Sequence, residues 1–205
     1  MRIFEHNADG GWLLDAIRRQ RAKEAKRRGL HVSTICDDIA KAIEPKRYAK
    51  GNFTDAQMLV FQELGNAIEE LVARELRRKY SDWQKPDPRQ DDDGIWGSPD
   101  GWHPASRTIH EIKATWVSPS RFVEFDHAGR VVSESHKFFR YRLQAMKYAD
   151  MWDAARIQFH VVFMVGTGYP PLPTPPRTLT LVPTAEDKAS NAAMLKQHAI
   201  DRGLL

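Results

Sequence analysis

The run from Thr108 to Trp116 constrains the fold most, because its residue types alternate with the period of two that defines a β-strand. One face of the expected strand carries the charged pair, in the set Ile109, Glu111, Lys113 and Thr115. The other face is mostly apolar and carries His110, Ile112, Ala114 and Trp116. We expect the apolar face to lie on a core while Glu111 and Lys113 point together into a cleft.

Asp100 lies upstream of this strand, where turn-forming residues surround it. Asp93-Gly94 begins a short extended segment, and Pro99 cannot donate a hydrogen bond to a neighbouring strand, so strand pairing should break there. The sequence therefore predicts a hairpin that aims Asp100 at Glu111.

Glu111 and Lys113 would lie about 7 Å apart on one strand face. At that separation a carboxylate can hold a divalent ion while an ammonium group addresses a water molecule on it. Taken singly, these residues are more typical of turns and of solvent-facing strand pairs. Taken together, in this order and spacing, they outline a metal-dependent phosphodiesterase site.

A long helix is predicted upstream, from about Thr54 to Tyr80, with apolar residues at helical spacing. Glu63 and Glu70 fall on its polar stripes, whereas Glu69 falls at the margin of its apolar face. A carboxylate at that margin is costly to bury unless it is paired or binds a cation. We therefore expect Glu69 to supply a further acid, although a glutamate that reaches water from the helix flank is the alternative.

A second helix is predicted downstream, beginning at Ser133 or Ser135 and ending near Arg156. One of its faces mixes cations, an amide and phenols: Lys137, Arg140, Tyr141, Gln144 and Tyr148. Such a face suits a nucleic-acid backbone, because cations position phosphates and aromatic rings can stack on bases. Without the upstream acidic cluster, an ordinary amphipathic helix explains this face better.

Together these motifs resemble the PD-(D/E)XK nuclease superfamily, and most closely its phage-exonuclease (lambda-type) and RecB-like branch. The segment Gly97 to Gly101, followed by Glu111-Ile-Lys113, resembles its central motif. Gly65 to Glu69 resembles the upstream Gly-x-x-x-Glu helix, and Gln144 to Tyr148 resembles the downstream Gln-x-x-x-Tyr helix. The similarity covers residues 29 to 166. Because an acid stands where RecB-type relatives have histidine, the phage-exonuclease variant matches better.

The segment from Gly29 to Cys36 is similar to a short N-terminal motif of RecB-like nucleases in which a serine precedes a helix. Ser33 acting only as a helix N-cap explains this segment equally well.

The resemblance implies a metal-dependent deoxyribonuclease that works like an exonuclease in phage DNA processing or recombination and leaves a 5′-phosphate. Its implied metal is one or two Mg²⁺ or Mn²⁺ ions, bound by Glu69, Asp100, Glu111 and the carbonyl oxygen of Ile112. Lys113 would orient or deprotonate the attacking water, and Gln144 and Tyr148 would hold the substrate backbone or the nucleophile. Without metal, three gathered acids should raise at least one of their pKa values.

The implied partner is double-stranded DNA with ends, contacted by Lys137, Arg140, Tyr141 and Tyr148. The residues leave open an endonuclease of restriction or junction-resolving type that uses the same site. They also leave open a non-catalytic DNA-binding accessory protein of recombination. A homo-oligomer and a single-strand annealing or recombination partner are further expectations.

Composition favours one domain over residues 1–205, because a chain of 205 residues with 41% hydrophobic content can bury one sizeable core, and the resemblance implies that this is a nuclease domain. The single cysteine, Cys36, excludes a disulfide framework and the four-cysteine iron-sulfur cluster of some relatives, and it is expected in the core. No apolar run reaches membrane-spanning length, and the N-terminus is unlike a secretory signal. We expect no membrane partner and a cytoplasmic location in a bacterial or phage-infected cell.

The remaining patterns complete an α/β order. Residues 1–50 are expected to form a basic helical extension, and seven of the eleven residues from Arg18 to Arg28 are lysine or arginine. That segment either binds phosphates or is a solvated helix. A buried strand is predicted over 156–166, a second strand over 179–182, and a terminal helix over 184–205. The expected fold is a central mixed sheet of about five strands flanked by helices, a restriction-endonuclease-like core with the site at a sheet edge.

Overall fold

The computed structural model of the protein describes residues 29–45, 55–128, 130–164 and 175–205. Its helices in chain order are α1 (Val32–Ile43), α2 (Asp55–Lys79), α3 (Pro119–Phe122), α4 (His136–Met151) and α5 (Ala185–Asp201). Its strands are β1 (Arg89–Gln90), β2 (Trp96–Gly97), β3 (Gly101–His103), β4 (Thr108–Thr115), β5 (Val123–Phe125), β6 (Val131–Glu134), β7 (Arg156–Phe163) and β8 (Arg177–Leu181). The predicted basic helix at 18–28 lies outside the described residues.

The main sheet is mixed, as predicted. Its strands lie in the order β3-β4-β7-β8, with β4 parallel to β7 and the outer pairs antiparallel. Within the described ranges this sheet has four strands rather than about five, and two small antiparallel pairs, β1-β2 and β5-β6, lie beside it. The α/β class is therefore confirmed.

Helix α4 makes the crossover that parallel strands require between β4 and β7. Strand β7 follows it and buries every second residue: Ile157, Phe159, Val161 and Phe163. These side chains share a core with α1, α4 and α5. Because β4 lies beside β7 in the same sheet, the backbone that carries Glu111 and Lys113 is held from one side along its whole length.

The core covers both faces of β4, which corrects the expectation that only the face with Ile112 lies on a core. Glu111 pairs with Phe159 in register and Lys113 with Val161, so these charged residues share a face with the main core. Ile112 points the other way and packs with Ala73, Leu76 and Trp83 in a smaller cluster under α2. When both faces of a strand are covered, the alternation of residue types along the strand does not indicate which face packs on the larger core.

The far end of β4 also departs from the expectation. Trp116 was expected on the core, but it follows the last residue of the strand and is 37% exposed. Its ring contacts the ring of Phe61, with centroids 4.6 Å apart. The apolar face of the strand therefore ends before Trp116.

Two helix starts refine the expectations. Helix α4 begins after Ser135, whose hydroxyl accepts a hydrogen bond from the amide of Phe138 at 3.1 Å, so Ser135 rather than Ser133 is the N-cap. Helix α1 begins after His31, which makes Ser33 its second residue, and the N-cap explanation of Ser33 is wrong.

Cys36 of α1 is fully buried, as expected, and burial raises the pKa of its thiol to about 12.

Helices α2 and α5 lie where the sequence predicts them. Helix α2 begins one residue after Thr54 and ends one residue before Tyr80. Helix α5 has a capping box in which Thr184 and Asp187 exchange hydrogen bonds. Among the helices that the structure describes, none combines the length and the apolar character needed to cross a membrane.

Gly101 gives a test of the packing next to Asp100. A Cβ atom at Gly101 would overlap the indole ring of Trp83, so Gly101→Ala should destabilise the fold by about 1–3 kcal/mol through overpacking. Gly65 in α2 is the matched control, because no neighbouring atom lies within 4 Å of the place an alanine methyl group would take, and alanine favours a helix by about 0.5–1 kcal/mol. Urea unfolding measures both variants. Equal stability of Gly101→Ala and the wild type would contradict this packing.

A candidate active site at the sheet edge

An ion-paired cluster of three charged side chains lies at the edge of the sheet. The Nζ atom of Lys113 lies 3.0 Å from Oδ2 of Asp100 and 2.7 Å from Oε2 of Glu111. Strand β4 places Glu111 and Lys113 on one face, and the β3-β4 hairpin delivers Asp100, as the sequence predicts. The structure therefore brings together the three residues of the central motif.

Asp100 is fixed by the backbone of the neighbouring strand. Pairing of β3 with β4 starts at Gly101 opposite His110, directly after the break expected at Pro99. Beyond that break, the carboxylate of Asp100 accepts a hydrogen bond from the amide of Ile112 at 2.7 Å. Since the N–H and C=O of one strand residue point to the same side, the carbonyl of Ile112 faces the same edge.

Glu111 is fully buried, and neither of its oxygen atoms has a hydrogen-bond partner of good geometry among the described residues. Its closest charged group is the ammonium group of Lys113, whose Nζ atom lies 2.7 Å from Oε2 of Glu111. Burial raises the pKa of Glu111 to about 8, and the charge of Asp100 adds to this rise while Lys113 opposes it. One raised acid pKa was expected, but burial is a larger cause than repulsion between acids.

Lys113 is also mostly buried, with 13% of its side chain exposed. Burial lowers the pKa of Lys113, but the charges of Asp100 and Glu111 outweigh burial and raise this pKa well above its usual range. The ammonium group also lies 5.4 Å from the centre of the Tyr141 ring, which favours a cation. Lys113 therefore keeps its proton, and can donate hydrogen bonds but not act as a base in this state.

An open cleft of about 550 Å³ lies beside this cluster, and Asp100 is the member of the cluster that lines it. Its polar lining includes Glu69, Lys85, Asp87, Asp100, Gln144 and Tyr148. Glu69 extends from α2 and forms an ion pair with Lys85, whose Nζ atom lies 2.7 Å away. Among the described residues, no three His, Cys, Asp or Glu side chains form a metal-binding group. Glu69 thus shares the cleft with Asp100 without joining the Asp100 and Glu111 cluster.

Helix α4 contributes Gln144 and Tyr148, and the amide of Gln144 donates a hydrogen bond to the Tyr148 hydroxyl at 2.8 Å. The rings of Tyr141 and Tyr148 lie in the main core, which leaves little ring surface for stacking on bases, and the contact of these residues with DNA stays a prediction. The helical spacing of these residues predicts that they share one face of α4. It does not predict which part of that face packs on the sheet. Tyr148 lines the cleft together with Gln144.

The two cations predicted for DNA contact lie elsewhere on α4. Arg140 pairs with Asp37 of α1 at 2.5 Å, and Lys137 lies half-buried in the first turn. Neither is among the described residues that line the cleft. The structure therefore separates these two cations from Gln144 and Tyr148, with which the helical stripe grouped them.

Sequence reasoning missed Lys85, His31 and Asp87 as residues of the cleft. Lys85 and Asp87 alternate with prolines in an irregular segment, where no periodic pattern indicates a face. His31 immediately precedes α1, two residues before the Ser33 that the sequence motif singled out. Their common location depends on how distant segments meet, which local sequence does not encode.

Comparison with known proteins finds similarity of fold only. No protein-family model and no curated protein matches the sequence. The solved structure of the protein SSO0001 is similar with a TM-score of 0.57 and 12% identity, over 93% of this chain and 85% of that one. A phage-related exonuclease from Haemophilus somnus 129PT has a TM-score of 0.46 and 17% identity, over 86% of this chain and 97% of that one.

The raised pKa of Glu111 predicts how stability depends on pH in metal-free buffer. Between about pH 4.5 and pH 8 the unfolded chain releases the Glu111 proton while the folded protein retains it, so folding becomes less favourable as pH rises. We expect the unfolding free energy of wild type, relative to Glu111→Gln, to fall by more than about 1 kcal/mol across this range.

Denaturant titrations of wild type and Glu111→Gln at several pH values in a chelating buffer measure this difference. Glu124→Gln, at an exposed position of β5, is the control and should follow the wild-type profile. Parallel pH profiles for wild type and Glu111→Gln would show that Glu111 ionises normally.

Proposed function

We propose that this protein is a metal-dependent DNA nuclease, an exonuclease-like phosphodiesterase of the PD-(D/E)XK type. The observation that carries the proposal is the meeting of Asp100, Glu111 and Lys113 in one ion-paired cluster, of which Asp100 also lines an open cleft. A cluster of this kind is costly to bury, so a purely structural role explains it poorly.

The residues present fit a divalent cation. Glu111 is fully buried without a well-aligned hydrogen bond, and such an oxygen is satisfied by metal coordination. Asp100, Glu111 and the carbonyl of Ile112 would hold Mg²⁺ or Mn²⁺, which prefer oxygen ligands, and Glu69 would add to them once released from Lys85. When bound, such an ion polarises the scissile phosphate and lowers the pKa of a coordinated water.

The side chains then divide the work of hydrolysis. Lys113 would orient the attacking water, and its ammonium form would stabilise negative charge that develops on the phosphate oxygens. The backbone amide of Ile112 donates a hydrogen bond to Asp100 and so holds the Asp100 carboxylate beside β4. Gln144 and the Tyr148 hydroxyl position the substrate backbone from α4. Cleavage of the bond between phosphorus and the 3′ oxygen, as the sequence resemblance implies, would leave the phosphate on the 5′ end of the product.

DNA with ends is the proposed substrate, with phage DNA processing or recombination as its setting, as the sequence resemblance implies. A homo-oligomer, an annealing partner and a cytoplasmic location stay predictions from the sequence.

A nuclease assay tests the function directly. Wild-type protein with Mg²⁺ or Mn²⁺ should degrade end-labelled linear duplex DNA and leave covalently closed circles intact. Glu111→Gln and Lys113→Met should lower the rate by about 10²–10³-fold, because each removes charge stabilisation at the reacting phosphate. Glu124→Gln is the control for Glu111→Gln and should cleave normally.

Circular dichroism of each variant serves as the control for folding. Wild-type rates in Glu111→Gln or in Lys113→Met would refute the catalytic assignment. Cleavage of closed circles would instead identify an endonuclease, and tight DNA binding without metal-dependent turnover would identify an accessory protein.

Metal binding should stabilise the fold. An ion that binds only the folded state adds about 2.7 kcal/mol at a hundred times its dissociation constant, so Mg²⁺ or Mn²⁺ should raise the melting temperature by several degrees. Asp100→Asn should abolish this rise, while Asp201→Asn at the end of α5 should keep it. Differential scanning fluorimetry with and without chelator measures both. An equal rise in Asp100→Asn would remove Asp100 from the metal site.

A further inference from the structure

Lys85 and Glu69 form an ion pair in the cleft. The proposed chemistry gives Glu69 a role but gives none to Lys85. The Nζ atom of Lys85 lies 2.7 Å from Oε1 of Glu69. Among the described residues that line the cleft, Lys85 is the one lysine or arginine, whereas Glu69, Asp87 and Asp100 are acids. A polyanionic strand that enters this cleft therefore meets mostly negative charge and a single flexible cation.

Lys85 differs from Lys113 in how strongly it is held. Lys113 is buried between two carboxylates, and its removal from them would expose an uncompensated charge in the core. The Lys85 side chain is 53% exposed and has one carboxylate partner that is itself 29% exposed. Exposed ion pairs contribute little to stability, so Lys85 can exchange its partner at small cost.

The backbone beneath Lys85 is fixed even though its side chain is exposed. Gln84 and Trp102 exchange two backbone hydrogen bonds, of 2.9 and 2.8 Å, which anchor the residue before Lys85 to β3. Pro86 restricts Lys85 to an extended conformation, and the Ser98 hydroxyl donates to the Pro86 carbonyl at 3.2 Å. Lys85 thus presents a long side chain from a rigid base, near Asp100.

We propose that Lys85 binds a backbone phosphate of the DNA in this cleft, exchanging the Glu69 carboxylate for a phosphate oxygen. The exchange replaces one anion with another around the same ammonium group, so Lys85 stays paired throughout. It also releases Glu69, whose carboxylate then faces Asp100 without a competing cation. This inference rests on the proposed DNA substrate and gives Lys85 a positioning role rather than a part in bond cleavage.

The test is DNA binding without turnover. Fluorescence anisotropy with a labelled, 5′-phosphorylated duplex oligonucleotide, in a chelating buffer over a series of salt concentrations, compares wild type, Lys85→Met, Lys85→Arg and Lys41→Met. Each phosphate contact adds about one to the slope of log affinity against log salt concentration. Lys85→Met should therefore weaken binding and lower this slope by about one, independently of DNA sequence.

The other variants control for charge and fold. Lys85→Arg should retain the slope, because arginine also pairs with phosphate. Lys41→Met removes an exposed lysine near the opposite end of α1 from His31, and should behave as wild type. An unchanged slope in Lys85→Met, or an equal loss in Lys41→Met, would overturn the inference. A lower melting temperature with an unchanged slope would do so too, since it would make Lys85 a structural partner of Glu69.

These outcomes separate Lys85 from the proposed function. Because the binding measurement needs neither metal nor cleavage, equal slopes in wild type and Lys85→Met refute the role of Lys85 even if the wild type degrades DNA. Failure of the wild type to cleave any DNA refutes the nuclease assignment, whatever the salt slopes show. Absence of DNA binding by the wild type at every salt concentration overturns the Lys85 inference.

Discussion

The buried ion pairing of Lys113 with Asp100 and Glu111 is the interaction on which the rest of the site depends. Glu111 lies in the main core, where burial raises the pKa of its carboxyl group and the Lys113 ammonium group, 2.7 Å away, opposes that rise. The same ammonium group reaches Asp100 across the hairpin. Removing one member of such a cluster leaves the others buried and uncompensated, so the three residues form one electrostatic unit.

The sheet holds this unit together through two kinds of backbone contact. Parallel pairing with β7 fixes Glu111 and Lys113 along one strand, and packing of α1 and α4 on the same face excludes water from Glu111. The break at Pro99 frees the amide of Ile112, which then binds the Asp100 carboxylate. Interrupted strand pairing therefore produces both the open edge and the orientation of its acid.

Much of this arrangement follows from local sequence patterns, and the rest depends on packing between distant segments. A period of two predicts β4 and the shared face of Glu111 and Lys113, and turn residues predict the hairpin before Asp100. The main core lies on the opposite face of β4 from the predicted one. Both faces of β4 are covered, and the alternation of residue types does not show which face packs on the larger core. Burial of the Tyr148 ring and the location of Lys85 in the cleft depend on how α4 and the loop after α2 meet the sheet.

The candidate site rests on two separate hydrophobic clusters, and the smaller one lies under α2. Glu69 belongs to the helix that packs Ala73 and Leu76 against Ile112 and Trp83, whereas Glu111 belongs to the larger hydrophobic assembly on the other side of the sheet. Repacking beneath α2 would therefore shift Glu69 relative to Asp100 and leave Glu111 in place. Substitutions among these nonpolar residues would therefore change the separation of Glu69 from Asp100 while every charged side chain is retained.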